Sequence, residues 1–290
     1  MGMIGMAFGI GFILGPGLGG VLSGFEINGR SGAVACFVAA GLSVVNLVWV
    51  WFGVPESLPA EKRKASTPRP LRPLDLGAIR ESLARPSVAR TITLNLGLVL
   101  AFSSLEQVYA FYASDRFALD QADVGYLFVF MGLTAAVIQG GLMRRVSGKI
   151  PEPVLIRWGV ALQVLAYIGF VIAPTLGLAW LYLSSALLAT GNGISQPSIS
   201  AQISRAVPAS EQGTTLSSNQ SFSSLGRTLG PAGGGLLYQG YGSVAPFVAC
   251  AALAVGSLTL ATGLRRPAHG GAPARQDESG VALLPGEPGL

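Results

Sequence analysis

The stretch Gly11-Phe12-Ile13-Leu14-Gly15-Pro16-Gly17-Leu18-Gly19-Gly20 returns 215 residues later as Gly226-Arg227-Thr228-Leu229-Gly230-Pro231-Ala232-Gly233-Gly234-Gly235. In that register glycines coincide at 11/226, 15/230, 19/234 and 20/235, and prolines at 16/231. Each copy sits in an apolar run and leads into a second one, and both second runs contain Phe-Val-Ala, Phe37 to Ala39 and Phe247 to Ala249. Chance is a poor explanation for glycines and a proline held in register, so the chain reads as an internal duplication.

Composition sets the class. Of 290 residues, 50% are hydrophobic and only 11% charged, with a mean hydropathy of +0.55. A soluble domain carries about 25% charge. The apolar residues gather in long uncharged runs, the mark of an all-α integral membrane protein with several spans. In such a protein the 40 glycines serve close helix packing rather than flexibility. The net charge of +5 does not point to nucleic acid, because the basic residues lie in short segments between apolar runs. Cys36 and Cys250 both fall inside apolar runs and offer neither a disulfide framework nor metal-ligand spacing. No metal and no cofactor is expected. The first residues lack the basic n-region of a signal peptide and read as part of a span.

Eight transmembrane helices are expected, roughly 2–24, 32–54, 90–113, 124–142, 154–174, 178–200, 213–237 and 243–264. Each is close to the ~20 residues that cross about 30 Å of hydrocarbon. Apolar runs of this length without alternation exclude barrel strands. The basic residues fix the orientation. The segment 55–90 holds Lys62, Arg63, Lys64, Arg69, Arg72, Arg80, Arg85 and Arg90, and 143–157 holds Arg144, Arg145, Lys149 and Arg157. Arg205 and the tail residues Arg265, Arg266 and Arg275 fall on the same side, against only Arg30 and Arg116 on the other. The linker 55–89 and the C-terminus are therefore expected to be cytoplasmic in a multi-pass cell membrane protein. The linker is rich in proline and charge, with a short amphipathic helix expected around Leu74 to Leu83; the tail 265–290 is Gly/Pro-rich and expected to be disordered.

The duplication can then be counted. Six helices separate the two copies of the Gly-Pro stretch. A parallel six-helix duplication gives twelve, of which 1–54 supplies the last two helices of an N-terminal bundle and 90–264 a complete C-terminal six-helix bundle. Four helices demanded by the symmetry are expected upstream of Met1.

Two six-helix halves joined by a basic cytoplasmic linker resemble the major facilitator superfamily. Gly11-x3-Gly15-Pro16-x2-Gly19-Gly20 is similar to the fifth-helix motif that marks its drug:proton antiporters. Pro55-Glu56-Ser57-Leu58, Gly191-x-Gly193-x3-Pro197 and Ser224-Leu225-Gly226-Arg227 before Gly230-Pro231 resemble the ends of the sixth helix and the tenth and eleventh helices of the tetracycline-efflux-like branch. One segment departs from the pattern. Gly140-Gly141-Leu142-Met143-Arg144-Arg145-Val146-Ser147-Gly148 stands where the superfamily has Gly-x-Leu-x-Asp-Arg-x-Gly, with Arg144 at the acidic position and one extra residue before Gly148. The resemblance implies a secondary transporter, monomeric at full length, that exports a small amphipathic or drug-like molecule in exchange for protons. It uses neither nucleotide nor enzyme chemistry.

Two ionisable side chains lie well inside spans, Glu106 and Arg227. Such charges cost about 2.5–3.5 kcal/mol on insertion scales and usually face the bundle interior. Glu106 shares a helical stripe with Asn95, Phe102 and Tyr109. It reads either as a proton-coupling carboxylate or as a helix-end carboxylate held structurally near the outer surface. Arg227 follows Asn219 and Ser223 at i+4 steps and reads as an anion- or proton-linked switch or as an interhelical lock. Gln139, Asn192 and Gln196 line a substrate path or bond neighbouring helices. The packing motif comprises Gly11, Gly15, Pro16, Gly19, Gly20, Gly226, Gly230, Pro231 and Gly234, with the prolines able to kink their helices. Three rival readings are a truncated, non-transporting remnant, a carrier of the same superfamily for another small solute, and a membrane enzyme built on Asp115, Asp120 and Asp123, an acidic cluster without histidine.

The repeat makes a prediction about the natural product. Carried on a C-terminal tag at its own locus, it should have an intact mass above 29.8 kDa by about four helices and their loops. A species at 29.8 kDa would remove the missing-helix reading.

Overall fold

A computed structural model describes residues 33–53, 83–208 and 211–265, together with Gly15, Gly19, Leu22, Gly77 and the residue pairs 26–27 and 30–31. Apart from those single residues, the first expected span and the linker up to residue 82 with its amphipathic helix lie outside the described residues, as do the tail beyond residue 265 and Gly11, Pro16 and Gly20 of the packing motif.

The fold is all-helical as expected, with one short hairpin ahead of the long helices among the described residues. Strands β1 (Glu26–Ile27) and β2 (Arg30–Ser31) pair antiparallel, Ile27 opposite Arg30. The sequence between them is Asn28-Gly29, the residue pair that two-residue hairpins favour, because both central positions of a type I′ turn need positive φ.

Seven long helices follow: α1 (Ala33–Gly53), α2 (Pro86–Phe117), α3 (Gln121–Val137), α4 (Glu152–Leu176), α5 (Leu178–Arg205), α6 (Gln212–Tyr241) and α7 (Ala245–Thr262). They coincide with the second to eighth expected spans. Five are long and apolar enough to cross a membrane by hydropathy alone: α1, α2, α3 with its extension, α4 and α7. α5 and α6 are as long but too polar for that criterion. α1 buries no residue, and its one substantial neighbour among the described residues is β1.

Local chemistry sets the helix ends. Pro86 occupies the first turn of α2, where a missing N–H costs nothing. α2 stops at Ala118, whose left-handed φ of 53° lets its N–H return to the Ser114 carbonyl at 2.9 Å and the Leu119 N–H to that of Ala113 at 3.4 Å. Asp120 and Asp123 form a reciprocal capping box that starts α3, so two of the three acids considered for enzyme chemistry are helix caps. α3 runs on through a π-turn, Ile138–Leu142, to Val146.

α2 to α7 pack as one bundle, arranged around two intimate pairs. The antiparallel pair α4/α5 meets at Gly159 and Gly191. A Cβ on Gly191 would come within 2.5 Å of the Gly159 carbonyl, and one on Gly159 within 2.8 Å of that of Gly191. The parallel pair α2/α6 meets at Gly226, Gly230 and Gly234. A Cβ on Gly230 would lie 2.8 Å from the Leu100 carbonyl and from Ser103 Cβ, and one on Gly234 2.8 Å from the Ser104 carbonyl. Pro231 lies within α6. α7 packs across α2 and α4, and α3 against α5. The core divides into an aromatic cluster around Tyr109, Tyr112, Phe170 and Phe247 and an aliphatic one around Ile92, Ile156, Ile203 and Ala261.

The aliphatic end, which holds the N-termini of α2, α4 and α6 and is called the basal end below, is closed by polar clamps. Arg157 donates to the carbonyls of Ala261 (3.0 Å), Thr262 (3.1 Å) and Leu264 (2.8 Å), Arg90 donates to that of Gly263, and Gln202 to that of Arg265 (3.0 Å). These carbonyls at the C-terminus of α7 have no helical partner and carry its negative dipole end, which two guanidinium groups complement. Arg205 pairs with Glu152 at 2.6 Å and Arg85 with Glu211 at 2.7 Å. At the opposite, apical end Arg116 Nε donates to Ser243 Oγ at 2.7 Å and the Tyr238 hydroxyl to Asp115.

The α2/α6 contact predicts a contrast between neighbouring glycines. Gly230→Ala should lower the unfolding midpoint in detergent, at a cost of about 1–3 kcal/mol, because the added carbon meets backbone that cannot yield. Gly233→Ala, three residues along with open space around it, should be neutral or stabilising by up to about 1 kcal/mol. Equal effects at the two positions would show that the crossing tolerates separation.

Candidate functional site: the polar face of α2 and α6

A helix in a bilayer turns apolar side chains to lipid and polar ones to protein or water, because each polar group left in hydrocarbon costs several kcal/mol. The exposed side chains of the bundle sort in this way. α4 and α7 expose Trp158, Leu165, Ile168, Ile172, Val248 and Val255, a surface fit for lipid. α6 exposes Ser217, Gln220, Ser221, Ser224, Arg227 and Thr228, with Leu225 and Leu229 between and beside them, and α2 exposes Thr93, Glu106 and Gln107, with Phe111 a turn further on. That second face faces water or protein, and the ionisable groups singled out from the sequence both lie on it.

Glu106 and Arg227 are within electrostatic reach of each other, yet no ion pair of 4.0 Å or less joins them. Both are exposed. Arg227 therefore does not lock α6 to a neighbour through a hydrogen bond among the described residues. It also parts from the stripe on which it was placed. Steps of four residues advance about 40° beyond a full turn, so Asn219 and Ser223 remain in the interface while Arg227 has rotated out of it.

Asn95 sits on the same face of α2 as Glu106 but is covered there, 2% exposed. Its Nδ2 donates to Asn219 Oδ1 and Ser223 Oγ, each at 3.0 Å, and its Oδ1 accepts from Gln196 Nε2 at 3.3 Å. One amide thus joins α2, α5 and α6. Ser223 passes its own proton to the Asn219 carbonyl, which leaves its oxygen free to accept from Asn95. Gln196 and Asn192 are half-buried, one turn apart on α5. Gln139 lies in the π-turn of α3, where π-turns often mark functional positions. Its side chain rests beside Gly193, next to Asn192: a Cβ on Gly193 would be 3.6 Å from Gln139 Cγ.

Tyr109 lies elsewhere. It is fully buried in the aromatic core, edge-on to Phe128 and Phe170, with its hydroxyl 2.6 Å from Ser185. Ser185 donates to the Leu181 carbonyl, so Tyr109 is the donor in that bond. The structure thus joins Asn95 and Gln196 directly, sets Gln139 beside Gly193, leaves Glu106 and Arg227 on the open face, and puts Tyr109 in packing. Sequence reasoning passed over most of the serines and threonines of α6. Their signal was present as a span in which nine of the eleven residues from Thr214 to Ser224 are serine, threonine, asparagine or glutamine.

A family model described as Major Facilitator Superfamily matches residues 1–231 and 180–286. The chain belongs to the major facilitator superfamily. Among its relatives, mouse "Major facilitator superfamily domain-containing protein 10" is 32% identical over 93% of this chain and 60% of the relative. "Tetracycline resistance protein, class C" of Escherichia coli is 26% identical over 79% of this chain and 55% of the relative. The crystal structure of the human organic anion transporter MFSD10 (TETRAN) superposes with a TM-score of 0.72 at 26% identity, over 90% of this chain and 62% of that one. The chain therefore spans about 60% of the length of the mouse relative and of that solved structure. Superfamily members are multi-pass membrane carriers of small molecules rather than enzymes, and the helical bundle described above is of their type.

The Asn95 network yields a measurable coupling. Asn95→Val should lower the unfolding free energy in detergent by about 1–2 kcal/mol, since interhelical hydrogen bonds in membranes average about 0.6 kcal/mol and reach about 1.7. A double-mutant cycle with Asn219→Val should return a coupling in that per-bond range. A coupling of zero would mean that the Asn95–Asn219 bond adds nothing to helix association.

Proposed function

We propose that this chain works as a secondary active transporter that moves a small amphipathic organic molecule by alternating access, coupled to protons. The observation that carries this reading is the pair Glu106 and Arg227: one acid and one base, exposed on a polar helical face, close enough to sense each other and not neutralised by a direct bond. Arg227 offers a fixed positive charge with donors suited to a carboxylate or sulfonate. Glu106 supplies a group that can be charged or neutral. When the carboxyl is protonated, the full field of Arg227 is available to an anion; when it ionises, it competes with that anion. Asn192, Gln196 and Gln139 supply neutral polar contacts along the path. The organic anion class is supported by the solved relative, and efflux by the tetracycline-resistance relative.

In this reading α2 to α7 form one of two rocking bundles, and α1 belongs to the other. The exposed surface of α1 and its lack of a substantial partner in the bundle support that division. The basal end faces the cytoplasm of a cell-membrane protein, supported by the excess of Arg and Lys there.

Flux tests the reading. The natural gene product, reconstituted in vesicles, should move a fluorescent carboxylated dye under an imposed pH gradient. Glu106→Gln should remove the gradient dependence while leaving insertion intact. Arg227→Gln should weaken transport of the anionic dye about tenfold or more and spare a neutral analogue. Unchanged pH dependence in Glu106→Gln would remove that residue from coupling, and equal loss of both dyes in Arg227→Gln would remove the anion site.

A further inference from the structure

The segment that departs from the superfamily pattern has a structure that suggests a use. Past α3 the chain turns tightly into α4. Ser147 N–H donates to Met143 at 2.9 Å, and Lys149 and Ile150 both donate to the Val146 carbonyl at 3.0 and 3.2 Å. Ser147 and Ile150 form a bridge, and Gly148 takes a φ of 85°, a conformation that favours glycine. On this hydrogen-bonded turn stand Arg144, Arg145 and Lys149, all exposed and without an ion pair or hydrogen-bonded partner among the described residues. Neighbouring cations are engaged: Arg85 and Arg205 with glutamates, Arg90 and Arg157 with the end of α7. The carboxylate nearest in sequence, Glu152, is taken by Arg205.

The side chains around the turn fix its depth. Val137 and Leu142 are exposed apolar residues on the same helix, so hydrocarbon reaches to within two residues of Arg144. On the returning helix Trp158, 66% exposed, has the amphipathic ring that settles at the headgroup boundary. Lys149 lies nine residues outward from it. The three cations therefore stand at the level of lipid phosphates, on a turn that its own backbone holds in shape before any ligand arrives.

We propose that the α3–α4 turn is a docking site for the phosphate headgroup of an anionic phospholipid in the leaflet that covers the basal end. Arg144, where the superfamily pattern has an acid, makes the local charge uniformly positive. The second arginine and Lys149 complete a cradle that a single phosphodiester neutralises in part. The cost of ordering the loop on binding is small because the turn is already closed.

The experiment reads this site locally. With every tryptophan but Trp158 replaced by phenylalanine, Trp49, Trp51 and Trp180 among them, Trp158 reports alone in the natural gene product. Vesicles of phosphatidylcholine contain a minor fraction of brominated phosphatidylglycerol, or the same fraction of brominated phosphatidylcholine. Stronger quenching by the anionic lipid is expected, with the preference falling about fivefold for each charge removed. It should vanish in Arg144→Gln/Arg145→Gln/Lys149→Gln, survive in Arg144→Lys/Arg145→Lys, and shrink with added salt. Equal quenching by the two lipids, or a preference untouched in the triple glutamine variant, would overturn the proposal. Abolition of the preference by millimolar inorganic phosphate would overturn it too, because it would identify a site for the free ion rather than for the lipid.

Discussion

The close parallel crossing of α2 and α6 is the constraint on which the rest of the bundle depends. At Gly230 and Gly234 there is no room for a Cβ against the backbone of Leu100 to Ser104. Lipid chains are as apolar as leucine, so helices in a membrane gain little from burying apolar surface and associate through close contact and hydrogen bonds. The glycines supply the contact; the Asn95 network, one to two turns toward the basal end, supplies the hydrogen bonds. Because the two helices run in the same direction, each contact fixes the height of every other residue pair along them. Arg85–Glu211 at the base and Asp115–Tyr238 at the top are tied by the same register.

A second constraint follows from the polarity of α5 and α6. Neither is apolar enough to be recognised as a span by hydropathy, yet each is as long as its neighbours. Many of their polar groups are hydrogen-bonded within the bundle, and several on α6 are exposed on the face shared with α2. Gln163 to Ser195 at 2.9 Å joins α4 to α5, and serine and threonine hydroxyls along α5 and α6 return to the carbonyl four residues back. A hydroxyl bonded in this way crosses hydrocarbon at low cost. The unreturned groups, above all Gln220, Arg227 and Glu106, require a wet or protein-covered surroundings, and that requirement locates the face.

Much of this was legible in the sequence because it rests on long-period signals. Seven of the eight expected helices lie where the apolar runs put them, to within a few residues. The helix that proved hardest by composition, α6, was still recognisable through its repeat of the Gly-Pro stretch. What sequence missed is short-range or depends on angle. The Asn28-Gly29 pair between Ile27 and Arg30 carries a hairpin signal that a search for spans passes over. Tyr109 was assigned to a polar stripe because helical offsets near 300° and 1100° look alike on paper. Only the packing of α3 and α4 against α2 shows that its side of the helix is closed. Asn219, Ser223 and Arg227 look equivalent at steps of four, but rotation carries the last one out of the interface.

The state of Glu106 and Arg227 carries the functional argument furthest. A direct ion pair would satisfy both groups and leave neither for a ligand, and breaking a desolvated pair would cost several kcal/mol. Two charges held apart on an open face are each hydrated and bias each other only through the field between them. Such a pair responds to what enters the space around it: a proton on the carboxyl, or an anion against the guanidinium, changes the charge the face presents without requiring the two helices to move relative to each other. The polar clamps at the two ends of the bundle tie its helices to one another.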